Sequence, residues 1–114
     1  MDRLEILDRE TWEPFLAAPA AVLMLGKTDC PACAAWTEEL KTFLAEDAEW
    51  QNVRFGKLEL DRPGFGGFKK LNPWIGDLTD LPYNVIYVNG ERIKEWLGGN
   101  VERLVNRLRR TVEA

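Results

Sequence analysis

Six consecutive apolar residues, Ala20 to Leu25, constrain the fold of this chain more than any other stretch. The run shows no polar alternation and lies between Pro19 and Gly26, so it favours a strand over a short apolar helix. A strand without a polar side must be covered on both faces, as strands are at the centre of a sheet packed between helices. The run therefore predicts the central strand of an α/β domain.

The only two cysteines of the chain follow this strand, in the stretch Cys30-Pro31-Ala32-Cys33. After them the apolar residues recur at helical spacing, which predicts a helix from Pro31 or Ala32 to Ala45 or Glu46 with a stripe formed by Trp36, Leu40, Phe43 and Leu44. A thiol at a helix N-terminus meets the positive end of the helix dipole and unpaired N–H groups, which favour the thiolate. The stretch therefore predicts a reversible dithiol/disulfide centre.

The N-terminal part predicts a short strand over Leu4–Leu7 and a helix, capped by Asp8 or Thr11, that runs to about Ala18. Residues 53–60 predict a further strand, which ends at Asp61. Its side chains alternate, with Val53, Phe55, Lys57 and Glu59 on one side.

The stretch Arg62-Pro63-Gly64-Phe65-Gly66-Gly67-Phe68 contains four helix and strand breakers and predicts a loop without regular structure. Behind it, residues 68–75 are expected to form a short helix or a hairpin. We expect Phe65, Phe68 and Trp74 to fix the loop onto the core rather than to form an exposed binding surface.

The C-terminal part predicts a β-hairpin and a helix. Asn89-Gly90 favours a type I′ turn between the strands 84–88 and 91–97. Asn100 is a helix cap, and apolar residues recur behind it up to Val112. The complete order of elements predicts one α/β domain over residues 1–114, with a central mixed sheet flanked by helices on both faces.

Composition excludes several function classes. With a net charge of −4 over 114 residues, neither nucleic acid nor an anionic membrane is the expected partner. The basic cluster Arg103, Arg107, Arg109 and Arg110 is interpreted as a solvated helix face.

Residues 1–7 lack a signal-like apolar segment and no run is long enough to span a bilayer, so we expect a cytoplasmic protein. In that compartment a lone cysteine pair is typically catalytic or metal-binding.

Four features together resemble the thioredoxin family over nearly the whole chain. They are the Cys30–Cys33 pair at the start of a long helix, Leu81-Pro82 before a strand, the Asn89-Gly90 hairpin, and Gly98 before the last helix. The resemblance implies the thioredoxin-like fold and a thiol–disulfide oxidoreductase that needs no metal and no cofactor besides its redox-active disulfide. It implies that Cys30 is the nucleophile and that Cys33, which is more buried, resolves the mixed disulfide.

The resemblance also implies a cis peptide bond at Pro82 and a substrate segment that binds beside it in extended form. The substrate-binding residues would be Pro31, Ala32, Leu81, Pro82, Tyr83 and Gly98. The implied partners are disulfide-containing protein substrates and a reductase or low-molecular-weight thiol that supplies electrons. A cytoplasmic location suggests a reductant in cell redox homeostasis.

The sequence departs from thioredoxins proper at several positions. Asp29 replaces the tryptophan before the first cysteine, and its charge is expected to destabilise the Cys30 thiolate. Met24 stands at the position of the family's buried acid, so a water molecule or Glu59 would have to accept the proton of the resolving thiol. Lys57 matches the lysine near that acid and is expected to favour a thiolate. Pro31-Ala32 stands between the two cysteines, where thioredoxins proper have Gly-Pro, and Tyr83 replaces the small residue that follows the family's cis-proline. The span from Asp61 to Pro82 is several residues longer than in thioredoxins proper.

Other interpretations of the cysteine pair remain open. A glutaredoxin-like enzyme also has a Cys-Pro-x-Cys stretch and a Gly-Gly pair, here Gly98-Gly99. A thioredoxin-fold adaptor or holdase would bind peptides at Pro82 and at residues 65–74 without turnover. The pair could also be a buried cysteine pair or an adventitious disulfide without a redox function. A zinc site would need ligands from a second molecule, because the chain has no histidine and no third cysteine.

Overall fold

A computed structural model describes residues 2–112, and a five-stranded sheet forms their centre. Met1, Glu113 and Ala114 lie outside the described residues, as do both ends of the domain predicted over 1–114. The elements in chain order are β1 (Leu4–Ile6), α1 (Trp12–Leu16), β2 (Ala20–Gly26), α2 (Pro31–Glu46), β3 (Arg54–Glu59), α3 (Gly66–Leu71), a 3-10 helix (Pro73–Asp77), β4 (Tyr83–Val88), β5 (Glu91–Leu97) and α4 (Val101–Thr111).

The sheet has the strand order β1-β3-β2-β4-β5. Strands β1 and β2 both run parallel to β3, whereas β4 is antiparallel to β2 and β5 is antiparallel to β4. One apolar cluster joins the sheet to α2 and α4, and a second cluster joins the opposite face to α1, α3 and the 3-10 helix. The predicted mixed sheet with helices on both faces is confirmed.

Strand β2 lies in the middle of the sheet and is buried along its whole length. Val22 and Met24 point into the cluster with α2 and α4, whereas Leu23 and Leu25 point into the opposite cluster. Because both faces of this strand are covered, no position could remain polar, which explains the unbroken apolar run.

The other strongly patterned elements also form where they were predicted. Helix α2 begins at Pro31 and ends at Glu46. Asn89 and Gly90 both have positive φ values, 52° and 82°, as a type I′ turn requires. The side chain of Asn100 caps α4 by accepting a hydrogen bond from the N–H of Arg103 at 2.8 Å.

Helix α1 is shorter than predicted, because it ends at Leu16 and not near Ala18. The residues that follow form a tight turn, in which the N–H of Ala18 donates to the carbonyl of Phe15 at 3.2 Å. Since Ala20 is already the first residue of β2, the chain must become extended within three residues of the helix end. The early start of the central strand β2 thus limits the length of α1.

The prediction that residues 62–68 form no regular structure is wrong, because α3 begins inside this stretch at Gly66. Gly64 makes the preceding turn with φ = 101°, a conformation that favours glycine. Phe65 and Phe68 are both buried, and the ring of Phe68 packs edge-on against Trp12 at a centroid distance of 5.5 Å. Burial of these rings on the sheet offsets the poor helix propensity of two glycines. Both phenylalanines fix the segment onto the core, as predicted.

The surface of α4 carries the basic cluster. Arg103, Arg109 and Arg110 are exposed, whereas Arg107 is half-buried with its guanidinium 5.1 Å from the ring centroid of Trp96. Over the described residues 2–112, none of the helices combines the length and the apolar character that crossing a membrane requires.

Candidate functional site

Cys30 and Cys33 form a disulfide at the start of α2, with their Cα atoms 5.2 Å apart. Cys30 is the N-cap residue, and its sulfur accepts a hydrogen bond from the N–H of Cys33 at 3.2 Å. Pro31 occupies the first turn, where a helix does not need its missing N–H. The Cys30 sulfur therefore lies at the positive end of the helix dipole, which favours a thiolate once the disulfide opens.

The two cysteines differ in their access to solvent. Cys30 is half-buried at the surface, whereas Cys33 is only 1% exposed and belongs to the apolar cluster beneath α2. An external disulfide or thiol can therefore approach the sulfur of Cys30 but not that of Cys33. This is the order of exposure that the resemblance to thioredoxins implied.

The loop that carries Cys30 is anchored to the end of β3. The carbonyl of Gly26 accepts a hydrogen bond from the N–H of Leu60 at 2.8 Å. The carboxylate of Asp61 accepts hydrogen bonds from both the hydroxyl and the backbone N–H of Thr28. These bonds hold the pKa of Asp61 below its usual value, with the hydroxyl contributing most. Asp29, which follows Thr28, has φ = 54° and so turns the chain towards the helix.

Two clefts meet at Cys30. The first, of about 450 Å³, lies between the loop, the start of α2 and β3 and is lined by Lys27, Thr28, Asp29, Cys30, Pro31, Ala34, Lys57 and Glu59. The second, of about 390 Å³, lies towards the 3-10 helix and is lined by Lys27, Asp29, Cys30, Pro31, Leu60, Ile75, Leu78, Thr79, Asp80 and Leu81. The exposed cysteine is thus accessible from both sides of the loop.

The Leu81-Pro82 peptide bond is cis, and Pro82 is buried. The carbonyl of Pro82 accepts a hydrogen bond from the N–H of Gly98 at 2.8 Å. This bond holds together the turn before β4 and the turn before α4, where Gly98 adopts φ = 89°.

The buried amide of Asn84 links these turns to α2, and the sequence analysis missed it. Its Oδ1 accepts a hydrogen bond from the indole N–H of Trp36 at 2.8 Å, and its Nδ2 donates to the carbonyl of Gly98 at 2.8 Å. Gly99 lies so close to Trp36 that a Cβ on Gly99 would come within 2.7 Å of the indole ring. The sequence signal that could have revealed this link is Asn84 itself, a single amide side chain within the largely apolar strand β4.

The structure brings most of the predicted site residues together around Cys30. Asp29 and Pro31 line both clefts, Lys57 lines the first and Leu81 lines the second. Ala32 is exposed on the first turn of α2.

Tyr83 is held towards β5, since its hydroxyl donates to the Glu95 carboxylate at 2.7 Å. Burial, followed by this hydrogen bond, raises the pKa of the Tyr83 phenol. Tyr83 is not among the residues that line either cleft.

No metal site is evident in the described part of the chain. Within residues 2–112, no cluster of three or more histidine, cysteine, aspartate or glutamate side chains has a geometry that could bind a metal ion.

Comparison with solved structures identifies the fold. Thioredoxin f from spinach chloroplast (long form) superposes with a TM-score of 0.75 at 17% identity, over 94% of this chain and 84% of that chain. Thioredoxin f2 from Chlamydomonas reinhardtii gives 0.74 at 20% identity, over 96% of both chains. A complex of ferredoxin:thioredoxin reductase and thioredoxin f2 gives 0.75 at 18% identity, over 96% of both chains.

No protein-family model and no curated protein matches the sequence significantly. The assignment therefore rests on the three-dimensional match and on the cysteine pair. This chain has the thioredoxin fold, with a CxxC pair in disulfide geometry at the start of its second helix.

Proposed function

We propose that this protein is a thiol–disulfide oxidoreductase that reduces disulfides in protein substrates. The observation that carries the proposal is the asymmetry of the pair, with Cys30 accessible at a helix N-terminus and Cys33 buried one turn later. Such a pair can attack a substrate through one sulfur and complete the reaction with the other.

The reaction proceeds in two exchanges. The Cys30 thiolate attacks a substrate disulfide, so that a mixed disulfide forms and one substrate thiolate leaves. Cys33 then loses its proton and attacks the Cys30 sulfur, which breaks the mixed disulfide and releases the second substrate thiolate. Two electrons pass from the dithiol to the substrate, and the Cys30–Cys33 disulfide remains.

The substrate segment would bind in the second cleft, in extended form beside Leu81-Pro82. The proximity of Leu81, Pro31 and Cys30 in that cleft supports this placement, because the backbone before β4 lies within reach of a chain bound to Cys30. Roles for Ala32, Tyr83 and Gly98 in substrate binding stay predictions, as does a cytoplasmic location.

Regeneration of the dithiol needs an electron donor. We propose either a protein reductase or a low-molecular-weight thiol, each of which can open the disulfide through the exposed Cys30 sulfur. One of the matching structures is a complex of a thioredoxin with ferredoxin:thioredoxin reductase, which supports a reductase as one class of donor.

The test is turnover of a disulfide-bonded peptide with a small dithiol as the electron source. We expect catalysis by the unaltered protein and at least a hundred-fold loss in Cys30→Ser, because no attacking sulfur remains accessible. The double variant Cys30→Ser/Cys33→Ser tests the alternative of a binding module, which would still bind peptide without either cysteine, whereas an oxidoreductase would lose all activity. Undiminished activity in that variant would overturn the enzymatic proposal, whereas peptide binding without turnover by the unaltered protein would favour the adaptor.

A further inference from the structure

The buried resolving thiol needs a proton acceptor. Cys33 is 1% exposed, so bulk water does not reach it freely, yet it must ionise before it can attack the mixed disulfide. Met24, which points towards the same cluster from β2, has no group that can accept a proton. The identity of the acceptor extends the function proposed above and depends on it.

The register between β2 and β3 places Glu59 on the face of the sheet over which the resolving cysteine packs. Gly26 is the residue over which Cys33 packs, since a Cβ on Gly26 would lie 3.4 Å from the Cys33 sulfur. Glu59 is the direct partner of Gly26 in the parallel pair, as Lys57 is of Met24. Paired residues of neighbouring strands project to the same face of a sheet, so the Glu59 side chain lies on the face over which Cys33 packs.

The burial and the contacts of Glu59 are consistent with this placement. Its side chain is 13% exposed and lines the first cleft together with Cys30. Oε1 accepts a hydrogen bond from the Nε of Arg62 at 2.7 Å. Within residues 2–112 the carboxylate has no other hydrogen-bond partner, so Oε2 is left without one.

Other charged groups face the same cleft. Lys57 projects from β3, and Lys27 and Asp29 project from the loop before Cys30. Asp29 is exposed and is therefore less suited to receive a proton from a thiol under the helix. Asp61 is occupied by two hydrogen bonds from Thr28.

We propose that Glu59 is the proton acceptor for Cys33 in the second exchange. The proton passes from the Cys33 sulfur to a Glu59 oxygen as the thiolate attacks Cys30. The substrate thiolate that leaves takes up a proton from solvent. A carboxylate on β3 thus acts where β2 has a methionine, and it does so beside Gly26, the residue over which Cys33 packs.

The experiment is rapid mixing of the reduced protein with an aromatic disulfide that releases one coloured thiolate at each attack. The first release reports attack by Cys30, and the second reports resolution by Cys33. In Glu59→Gln we expect the second phase to slow by about ten-fold or more at neutral pH and to recover as the pH is raised, while the first phase changes little. Glu59→Asp should restore part of the rate.

Two comparison variants distinguish this role from a general effect of charge. Glu46→Gln makes the same substitution at the far end of α2 and should leave both phases unaltered. Asp29→Asn should change the first phase and leave the second phase faster than in Glu59→Gln.

Equal second-phase rates in the unaltered protein and Glu59→Gln at every pH would overturn the proposal for Glu59 alone. If the unaltered protein never released a second thiolate, the oxidoreductase proposal itself would fail. If Glu59→Gln did not fold, Glu59→Ser would take its place, and second-phase rates equal to those of the unaltered protein at every pH would then overturn the role.

Discussion

Asn84→Leu is predicted to destabilise the protein by removing the link between α2 and the turns at Pro82 and Gly98. The side chain of Asn84 is 1% exposed, and its loss leaves the indole N–H of Trp36 buried without a partner. An unsatisfied buried polar group costs about 1–3 kcal/mol. The carbonyl of Gly98 also loses its donor, but Gly98 is half-buried and water can replace part of that bond. Together these losses amount to about 2–3 kcal/mol.

The measurement is urea denaturation of the oxidised protein, with the free energy of unfolding obtained by linear extrapolation. Asn106→Leu is the matched control, because Asn106 is exposed on α4 and the same substitution there should change stability by less than about 0.5 kcal/mol. A double-mutant cycle with Trp36→Phe isolates the hydrogen bond between the two side chains. A loss in Asn84→Leu no larger than that in Asn106→Leu would refute the reasoning, as would additive effects in the cycle.

Three further predictions concern other close contacts and buried polar groups. Gly99→Ala should lower the free energy of unfolding by about 1–3 kcal/mol, because the new Cβ would meet the ring of Trp36 at 2.7 Å, whereas Gly76→Ala, with open space around it, should not. Tyr87→Phe should leave stability at neutral pH unchanged or raise it by up to about 1 kcal/mol, because the hydroxyl is buried and has no hydrogen-bond partner within residues 2–112. Burial raises the pKa of Tyr87 to about 12, so the unaltered protein should lose stability relative to Tyr87→Phe as the pH rises above about 10, where the unfolded phenol ionises first. Burial opposes ionisation of Asp47, but hydrogen bonds from two backbone N–H groups and one guanidinium outweigh it and hold the Asp47 pKa below its usual value. Asp47→Asn should therefore cost about 1–2 kcal/mol at pH 7, and denaturation curves should show this difference disappearing as the pH falls below the ordinary carboxyl pKa of 3.8.

The fold could be predicted wherever a pattern was continuous along the chain. The apolar run of β2, the helical stripe of α2 and the Asn89-Gly90 turn each depend on neighbours in sequence, and each forms where it was predicted. The helix at Gly66 could not be predicted in this way. Its stabilising contacts come from the burial of Phe65 and Phe68 on a distant part of the sheet, which overrides local propensity.

The candidate site shows the same limit. The cysteine pair and the proline before β4 could be identified from local sequence, and the greater exposure of Cys30 was implied by the resemblance to thioredoxins. Neither the pairing of Glu59 with Gly26 nor the bonds of Asn84 to Trp36 and Gly98 could be deduced, because both depend on strand register and on contacts between distant elements.

The most direct test of the central claim is covalent trapping of a disulfide-bonded peptide by single-cysteine variants, with the adducts measured by mass. In Cys33→Ser, the accessible Cys30 thiolate can attack but nothing resolves the mixed disulfide, so we predict that an adduct at Cys30 accumulates. In Cys30→Ser, the remaining thiol at Cys33 is buried, and we predict no adduct. Equal trapping by the two variants, or trapping by Cys30→Ser alone, would contradict the account.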